Sequence, residues 1–250
     1  MKLATWNVNS LTVRLGQVED WVKKAQPDLL LLQETKQENI KFPHDAISAL
    51  GYHAIHNGQK TYNGVAIISK YELFDIQNNM PDFEDEQKRL IAATVNTDYG
   101  KIRIVCVYVP NGQSVDSDKY QYKLDWLKHF TVWLKNEMVS FPDIIIAGDF
   151  NIAPQDIDCH DPEAWKNNIL VSPKERDAFQ KIIDLGLSDN FRAMNPTEIQ
   201  YSWWDYRMAG FRRNLGMRID LTNKTKQSLI DKEPRKSERP SDHTPVIVEL

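Results

Sequence analysis

Seven short apolar runs, several of them ended by a side chain that can bind a cation or move a proton, constrain this chain more than any other feature. They are Leu3 to Trp6, Leu29 to Leu32, Val65 to Ile68, Ile91 to Val95, Ile102 to Val109, Ile144 to Ala147 and Val246 to Val248. Their shortness and β-branched content predict strands rather than helices. Helical spacing occurs between them. Val18, Trp21 and Val22 form one apolar stripe, and Tyr120, Leu124, Leu127, Phe130 and Leu134 form a longer one. A third helix is predicted from about Lys174 to Asp184. Sheets covered by helices follow, which is an α/β architecture.

The chain has 250 residues, 41% of them apolar, enough to bury a substantial core. No repeat, low-complexity stretch or Pro/Gly-rich linker divides it, so residues 1–250 read as one domain. No apolar run approaches the roughly 18 to 20 residues that span a bilayer. Met1 to Asn7 already reads as strand rather than signal peptide. A soluble, cytoplasmic protein without a membrane partner is expected. Cys106 and Cys159 are too few and too far apart for a disulfide scaffold and read as reduced thiols.

The net charge of −4 is unevenly spread. Residues 201–250 hold ten Lys/Arg against seven Asp/Glu, whereas the first 200 residues hold 21 against 28. A cation site needs carboxylates and a phosphate-facing rim needs cations, so this balance does not exclude a nucleic-acid substrate.

Polar residues gather where the apolar runs end, the usual place for function on a rigid scaffold. Asn7 follows the first run, and Gln33 and Glu34 follow the second. Tyr108 and Asn111 close the fifth, and Gly148-Asp149-Phe150-Asn151 follows the sixth. Arg218-Ile219-Asp220 and Ser241-Asp242-His243 complete the set. Oxygen donors from Asn, Asp and Glu, with one histidine and no cysteine, suit a hard ion such as Mg²⁺ rather than zinc. Such an ion polarises a phosphoryl oxygen while a nearby carboxylate orients or deprotonates water, so the residue types point to phosphodiester hydrolysis. Adjacent residues on extended backbone face opposite ways. The carboxylate that orients His243 is therefore either Asp242 or one from elsewhere in the fold.

The ordered series Thr5-Trp6-Asn7-Val8-Asn9, Leu32-Gln33-Glu34-Thr35-Lys36, Asn63-Gly64-Val65-Ala66, Tyr108-Val109-Pro110-Asn111-Gly112, Gly148-Asp149-Phe150-Asn151, Asn214-Leu215-Gly216-Met217-Arg218-Ile219-Asp220 and Ser241-Asp242-His243 resembles the exonuclease III family of abasic-site endonucleases, within the DNase I-like fold. The resemblance covers nearly the whole chain. It implies a four-layer α/β/β/α sandwich of two packed mixed sheets with outer helices. It also implies an Mg²⁺-dependent monomer, Mn²⁺ substituting, acting on double-stranded DNA with abasic sites or 3′ ends.

By that resemblance Glu34 is the principal metal ligand, Asn7 stands beside it, and Asp220 or Asp242 contributes directly or through water. Asp149 activates or positions the attacking water and Asn151 is its hydrogen-bonding partner. Tyr108 and Asn111 hold phosphate oxygens, and His243 stabilises the transition state. Asn9 helps shape the metal site. Trp203, Met217 and Ile219 form an apolar pocket for a flipped-out deoxyribose, with Arg212 and Arg213 on phosphates beside it. One of Trp203 and Trp204 is expected in the core, and Lys36 and Tyr62-Asn63-Gly64 are candidate backbone contacts.

One segment departs from the family pattern. After Asp220 the residues Leu221 to Gln227 are mostly polar and the route to Ile230 is short. A missing or weakened terminal strand is expected there, with Asp220 displaced from Asp242-His243. Two rival readings use the same residues: a same-fold phosphoesterase acting on inositol phosphates or a phospholipid headgroup, and a noncatalytic DNA-binding relative.

Overall fold

The computed structural model describes residues 1–223 and 227–249. Its strands are β1 (Lys2–Asn7), β2 (Leu29–Gln33), β3 (His53–Asn57), β4 (Val65–Ser69), β5 (Phe74–Asn78), β6 (Leu90–Thr97), β7 (Gly100–Tyr108), β8 (Ile144–Asp149), β9 (Trp203–Trp204), β10 (Gly216–Met217), β11 (Asp220–Thr222), β12 (Gln227–Ile230) and β13 (Val246–Glu249). The helices are α1 (Leu11–Ala25), α2 (His44–Ala49), α3 (Asp118–Ser140), α4 (Pro162–Trp165), α5 (Pro173–Ile183), α6 (Asn190–Met194) and α7 (Gly210–Arg213). One sheet has the order β12-β13-β1-β2-β4-β3 and the other β11-β8-β7-β6-β5, while β9 and β10 form a separate ribbon. Both sheets are mixed, because β1 pairs with β2 and β7 with β8 in parallel.

The unbroken apolar runs have a simple cause: their strands are buried on both faces. Leu29 and Leu31 point into the core between the sheets with Leu3, Ile67, Ile91 and Ile104. Leu30 and Leu32 point the other way, onto Val18, Trp21 and Val22 of α1 and Ile47 of α2. The second sheet alternates likewise, Val105, Val107, Ile144 and Ile146 facing Trp126, Phe130 and Leu134 of α3 and Phe179 and Ile182 of α5. Helix, sheet, sheet and helix are the four layers that the family resemblance implies. The third predicted helix is α5, shifted by one residue, with Pro173 in its first turn and a Ser172–Glu175 capping box at its start. No helix among the described residues is long and apolar enough to cross a membrane.

The expectation of a lost strand after Asp220 is corrected. β11 pairs antiparallel with β8, setting Asp220 opposite Asp149 and Thr222 opposite Ala147. The ladder then continues through one side chain. The Asn223 amide accepts from the Ile146 N–H at 2.5 Å and donates to the Ile144 carbonyl at 3.4 Å, while its main-chain N–H donates to the Ile146 carbonyl at 3.2 Å. A buried carboxamide thus does the work of further strand residues. Residues 224–226 lie outside the described residues, and beyond them β12 pairs with β13 from Gln227↔Glu249 to Ile230↔Val246.

Asn223→Ala should leave the buried Ile146 N–H without a partner and destabilise the protein by about 1–3 kcal/mol. Urea unfolding would register this as a lower midpoint at unchanged slope, and a parent-like midpoint would mean that the side chain does not carry the ladder.

Candidate active site

Parallel pairing brings strand ends together. In β1 and β2 the register sets Asn7 beside Gln33, and in β7 and β8 it sets Tyr108 beside Asp149. The two sheets pack face to face, so these ends meet at one rim of the sandwich. Gly148 admits the close packing just before Asp149, since a Cβ there would lie 1.9 Å from the Val107 carbonyl oxygen. Past the strand ends the chain turns sharply through left-handed conformations at Asn9 (φ 44°), Glu34 (φ 52°) and Asn151 (φ 50°). Asn tolerates that region, but for Glu34 it is local strain of the kind that functional sites retain.

The site centres on two carboxylates. Asn7 Nδ2 donates to Glu34 Oε1 at 2.9 Å and to Asp149 Oδ2 at 2.8 Å, bridging the sheets. Tyr108 donates its hydroxyl to Glu34 Oε1 at 2.9 Å, and the Lys36 ammonium pairs with Glu34 Oε2 at 2.8 Å. The Asn151 N–H donates to Asp149 Oδ1 at 2.9 Å, and Asn111 Nδ2 donates to Asn151 Oδ1 at 3.0 Å. His243 Nδ1 lies 2.9 Å from Asp220 Oδ2, and its Nε2 faces Asp149 Oδ2 at 3.6 Å. The orienting carboxylate of His243 is therefore Asp220. Asp242 points elsewhere, accepting from Asn9 Nδ2 at 2.9 Å and from Trp203 Nε1 at 3.1 Å. Trp6 Nε1, donating to the His243 carbonyl at 3.4 Å, and Ser241 Oγ, donating to the Asn7 carbonyl at 2.7 Å, lock this loop onto β1.

Burial pushes the Asp149 carboxyl up; the imidazolium of His243 pulls it back and Asp220 pushes it further, leaving it at about 7. Burial alone would lower His243, but Asp220 and then Asp149 outweigh it and raise the imidazole to about 10. At neutral pH His243 is therefore protonated. Burial and the neighbouring Glu34 hold the Tyr108 hydroxyl well above its ordinary value, so it is a donor.

Ligand atoms of Glu34, Asp149 and His243 lie within 4.8 Å of one another, a spacing that could hold one metal ion. Carboxylate oxygens dominate the set, which contains no cysteine, and this fits a hard cation. Asn7, expected as a ligand, presents its donor nitrogen to both carboxylates while its oxygen accepts from the Asn9 N–H at 3.0 Å. Asp242, also expected as a ligand, stands outside this cluster.

A cleft of about 840 Å³ opens over these residues, lined by Glu34, Tyr108, Asn111, Asp149, Asn151, Asp242 and His243. Tyr62 and Asn63 also line it, as does Trp203, while Trp204 is fully buried. The apolar wall differs from the expected one. Met217 and Ile219 are buried in the cluster behind Trp203, and Trp165, Ile169 and Leu170 line the cleft instead. Arg212 and Arg213 sit exposed on α7 away from the lining, and the cations that reach it are Arg89, Lys119 and Arg207. Sequence reasoning missed Arg89, whose guanidinium stacks 4.8 Å over the Tyr108 ring. Its only signal was a cation two residues ahead of the fourth apolar run.

The sequence profile of the endonuclease/exonuclease/phosphatase family matches residues 4–243. The chain is 37% identical to exodeoxyribonuclease III of Haemophilus influenzae over 266 aligned positions covering the whole of both proteins. A 3′ phosphatase from Neisseria, solved with a product DNA hairpin, superposes with a TM-score of 0.97 at 44% identity, covering 100% of this chain and 99% of that one. An AP endonuclease from Archaeoglobus fulgidus gives 0.94 at 38% identity, with the same coverage. With its fold, its strand-end carboxylates and these relatives in agreement, the chain belongs to the endonuclease/exonuclease/phosphatase family, in its exonuclease III branch.

Proposed function

We infer that this protein is a divalent-cation-dependent DNA-repair nuclease that hydrolyses the backbone on the 5′ side of abasic sites and trims 3′ ends. The observation that carries the reading is the convergence of Glu34, Asp149 and His243 within 4.8 Å at the base of a cleft whose far wall is apolar. Relatives that act on DNA as an exodeoxyribonuclease, a 3′ phosphatase and an AP endonuclease support it. The wall of Trp165, Ile169, Leu170 and Trp203 suits a sugar without its base, whose extrusion is easier because stacking is already lost. The working ion in this reading is Mg²⁺, with Mn²⁺ able to replace it, and the enzyme is a cytoplasmic monomer.

Glu34 would hold the cation beside Asp149, and Asn7 fixes the two carboxylates relative to each other. A bound divalent cation neutralises charge that builds on the phosphoryl oxygens. Asp149, raised to about 7, accepts the proton of the attacking water near neutral pH. The water oxygen bonds to phosphorus as the bond to the leaving oxygen breaks. Asn151, held by Asn111, orients the phosphate beside Asp149. His243, kept protonated by Asp220, offers its Nε2–H to a phosphoryl oxygen.

An end-labelled duplex with one abasic site should be incised with Mg²⁺ and spared with chelator. Asp149→Asn and Glu34→Ala should lower incision by about 10²–10⁴-fold while thermal unfolding stays cooperative. Equal internal nicking of the matched intact duplex would sink the abasic-site reading. Variants as active as the parent would sink the catalytic one.

The His243–Asp220 pair makes a separate prediction. A histidine raised to about 10 on folding contributes stability that is fully present below pH 6.5 and is lost as pH rises through 10. In chelator, the melting temperature should fall between pH 7 and pH 10, reflecting on the order of 3 kcal/mol. Asp220→Asn should be less stable at pH 7 and show a flatter pH dependence. Parallel curves for parent and variant would refute the assignment.

A further inference from the structure

Beneath the cleft lies an ion pair with no exposure at all, joining Lys123 of α3 to Glu175 of α5. The ammonium has three protons and finds three acceptors: the Glu175 carboxylate and the main-chain carbonyls of Asn111 at 3.2 Å and Asn151 at 2.7 Å. Glu175 reaches onward, accepting from the Leu170 N–H at 3.1 Å and from the Ser172 N–H and hydroxyl at 3.1 and 2.5 Å. Three loops that build the cleft therefore end on one buried pair: the turn at Asn111, the turn at Asn151, and the wall at Leu170.

Stability alone does not call for this arrangement, since well-packed apolar residues often replace a buried pair at no loss. Apolar residues cannot hold two carbonyl groups. Both carbonyls belong to residues whose side chains bond to each other, and Asn151 also anchors Asp149 through its N–H. The backbone around them is unusual: Asn151 (φ 50°) and Leu170 (φ 73°) are left-handed, and Gly112 (φ 97°) follows Asn111 directly over the Lys123 stem. Turns of this kind persist only where the surroundings over-determine them.

We propose that Lys123 and Glu175 are positioning residues for hydrolysis, holding the Asn111–Asn151 pair and the Leu170 wall at fixed places relative to Asp149. The kinetic half of this proposal rests on the nuclease reading; the structural half does not.

The test is Lys123→Met/Glu175→Leu, which removes both charges and keeps the volume, read beside Glu175→Gln, which keeps the shape and removes one charge. A displacement of about 1 Å in such a site costs on the order of 100-fold in rate, so incision of the abasic duplex should lose at least about tenfold in kcat with KM held. Hydrogen exchange without DNA should quicken at residues 111–113, 151–153 and 170–172, with β4 and β6 at parent rates. Parent-like kcat in either folded variant overturns the proposal. So does exchange that rises uniformly along the chain, because the pair would then serve only global stability. If the parent itself does not cut DNA, the nuclease reading fails and the exchange pattern still decides whether the pair positions the loops.

Discussion

The hydrogen bond from Asn7 to Asp149 joins the two sheets at the rim that carries the candidate site, and the rest of that site is arranged around it. Asn7 ends β1 in one sheet and Asp149 ends β8 in the other, so the bond crosses the sandwich where its apolar core stops. A carboxylate buried there is tolerated only because donors meet it: Asn7 on one oxygen and the Asn151 N–H on the other. Those donors do not saturate it. Asp149 keeps a raised proton affinity and faces an imidazole 3.6 Å away, the kind of perturbed carboxylate that marks a candidate functional group.

Completion comes from the last third of the chain. Asp220 reaches His243 because β11 pairs with β8 in the register that sets Asp220 opposite Asp149. Three residues of strand are few for such a duty, and Asn223 lengthens the ladder by side chain where the backbone leaves it. Arg218, just ahead, is clamped between Asp158 and Asp189 at 2.8 and 2.6 Å, which fixes the other end of the segment. A short strand held at both ends positions a carboxylate as firmly as a long one.

The interior of this fold was legible because central strands are apolar on both faces, and Leu29 to Leu32 could hardly be anything else. The strands the apolar runs did not announce include all four sheet edges: β3, β5, β11 and β12. Edge strands carry polar residues such as His53, Gln77, Thr222 and Ser228, and their alternation fades into the background of a loop. The convergence of the candidate site residues was legible for a related reason, since residues at the ends of parallel strands are brought together. The apolar wall was not. Trp165, Ile169 and Leu170 lie on α4 and the irregular segment after it, whose path is set by Glu175 and not by any periodicity. Met217 and Ile219 carry the right chemistry for a pocket but lie behind Trp203.

Charge counted along the chain misleads for the same reason: it does not know which cations are already paired. The excess in residues 201–250 suggests a basic rim, yet Arg218 is spent on Asp158 and Asp189, and Lys236 pairs with Glu233. Arg235 is buried among the rings of Trp204, Tyr206 and Phe211. Meanwhile Arg89 and Lys119, from the acidic part of the sequence, face the cleft. Arg89 has no carboxylate partner among the described residues; Gln87 and the Tyr108 carbonyl accept its protons, and the Tyr108 and Tyr122 rings flank it. A guanidinium satisfied by neutral groups keeps its charge unneutralised. The cation that faces the cleft without a carboxylate partner among the described residues is therefore one that no count of charge along the chain reveals.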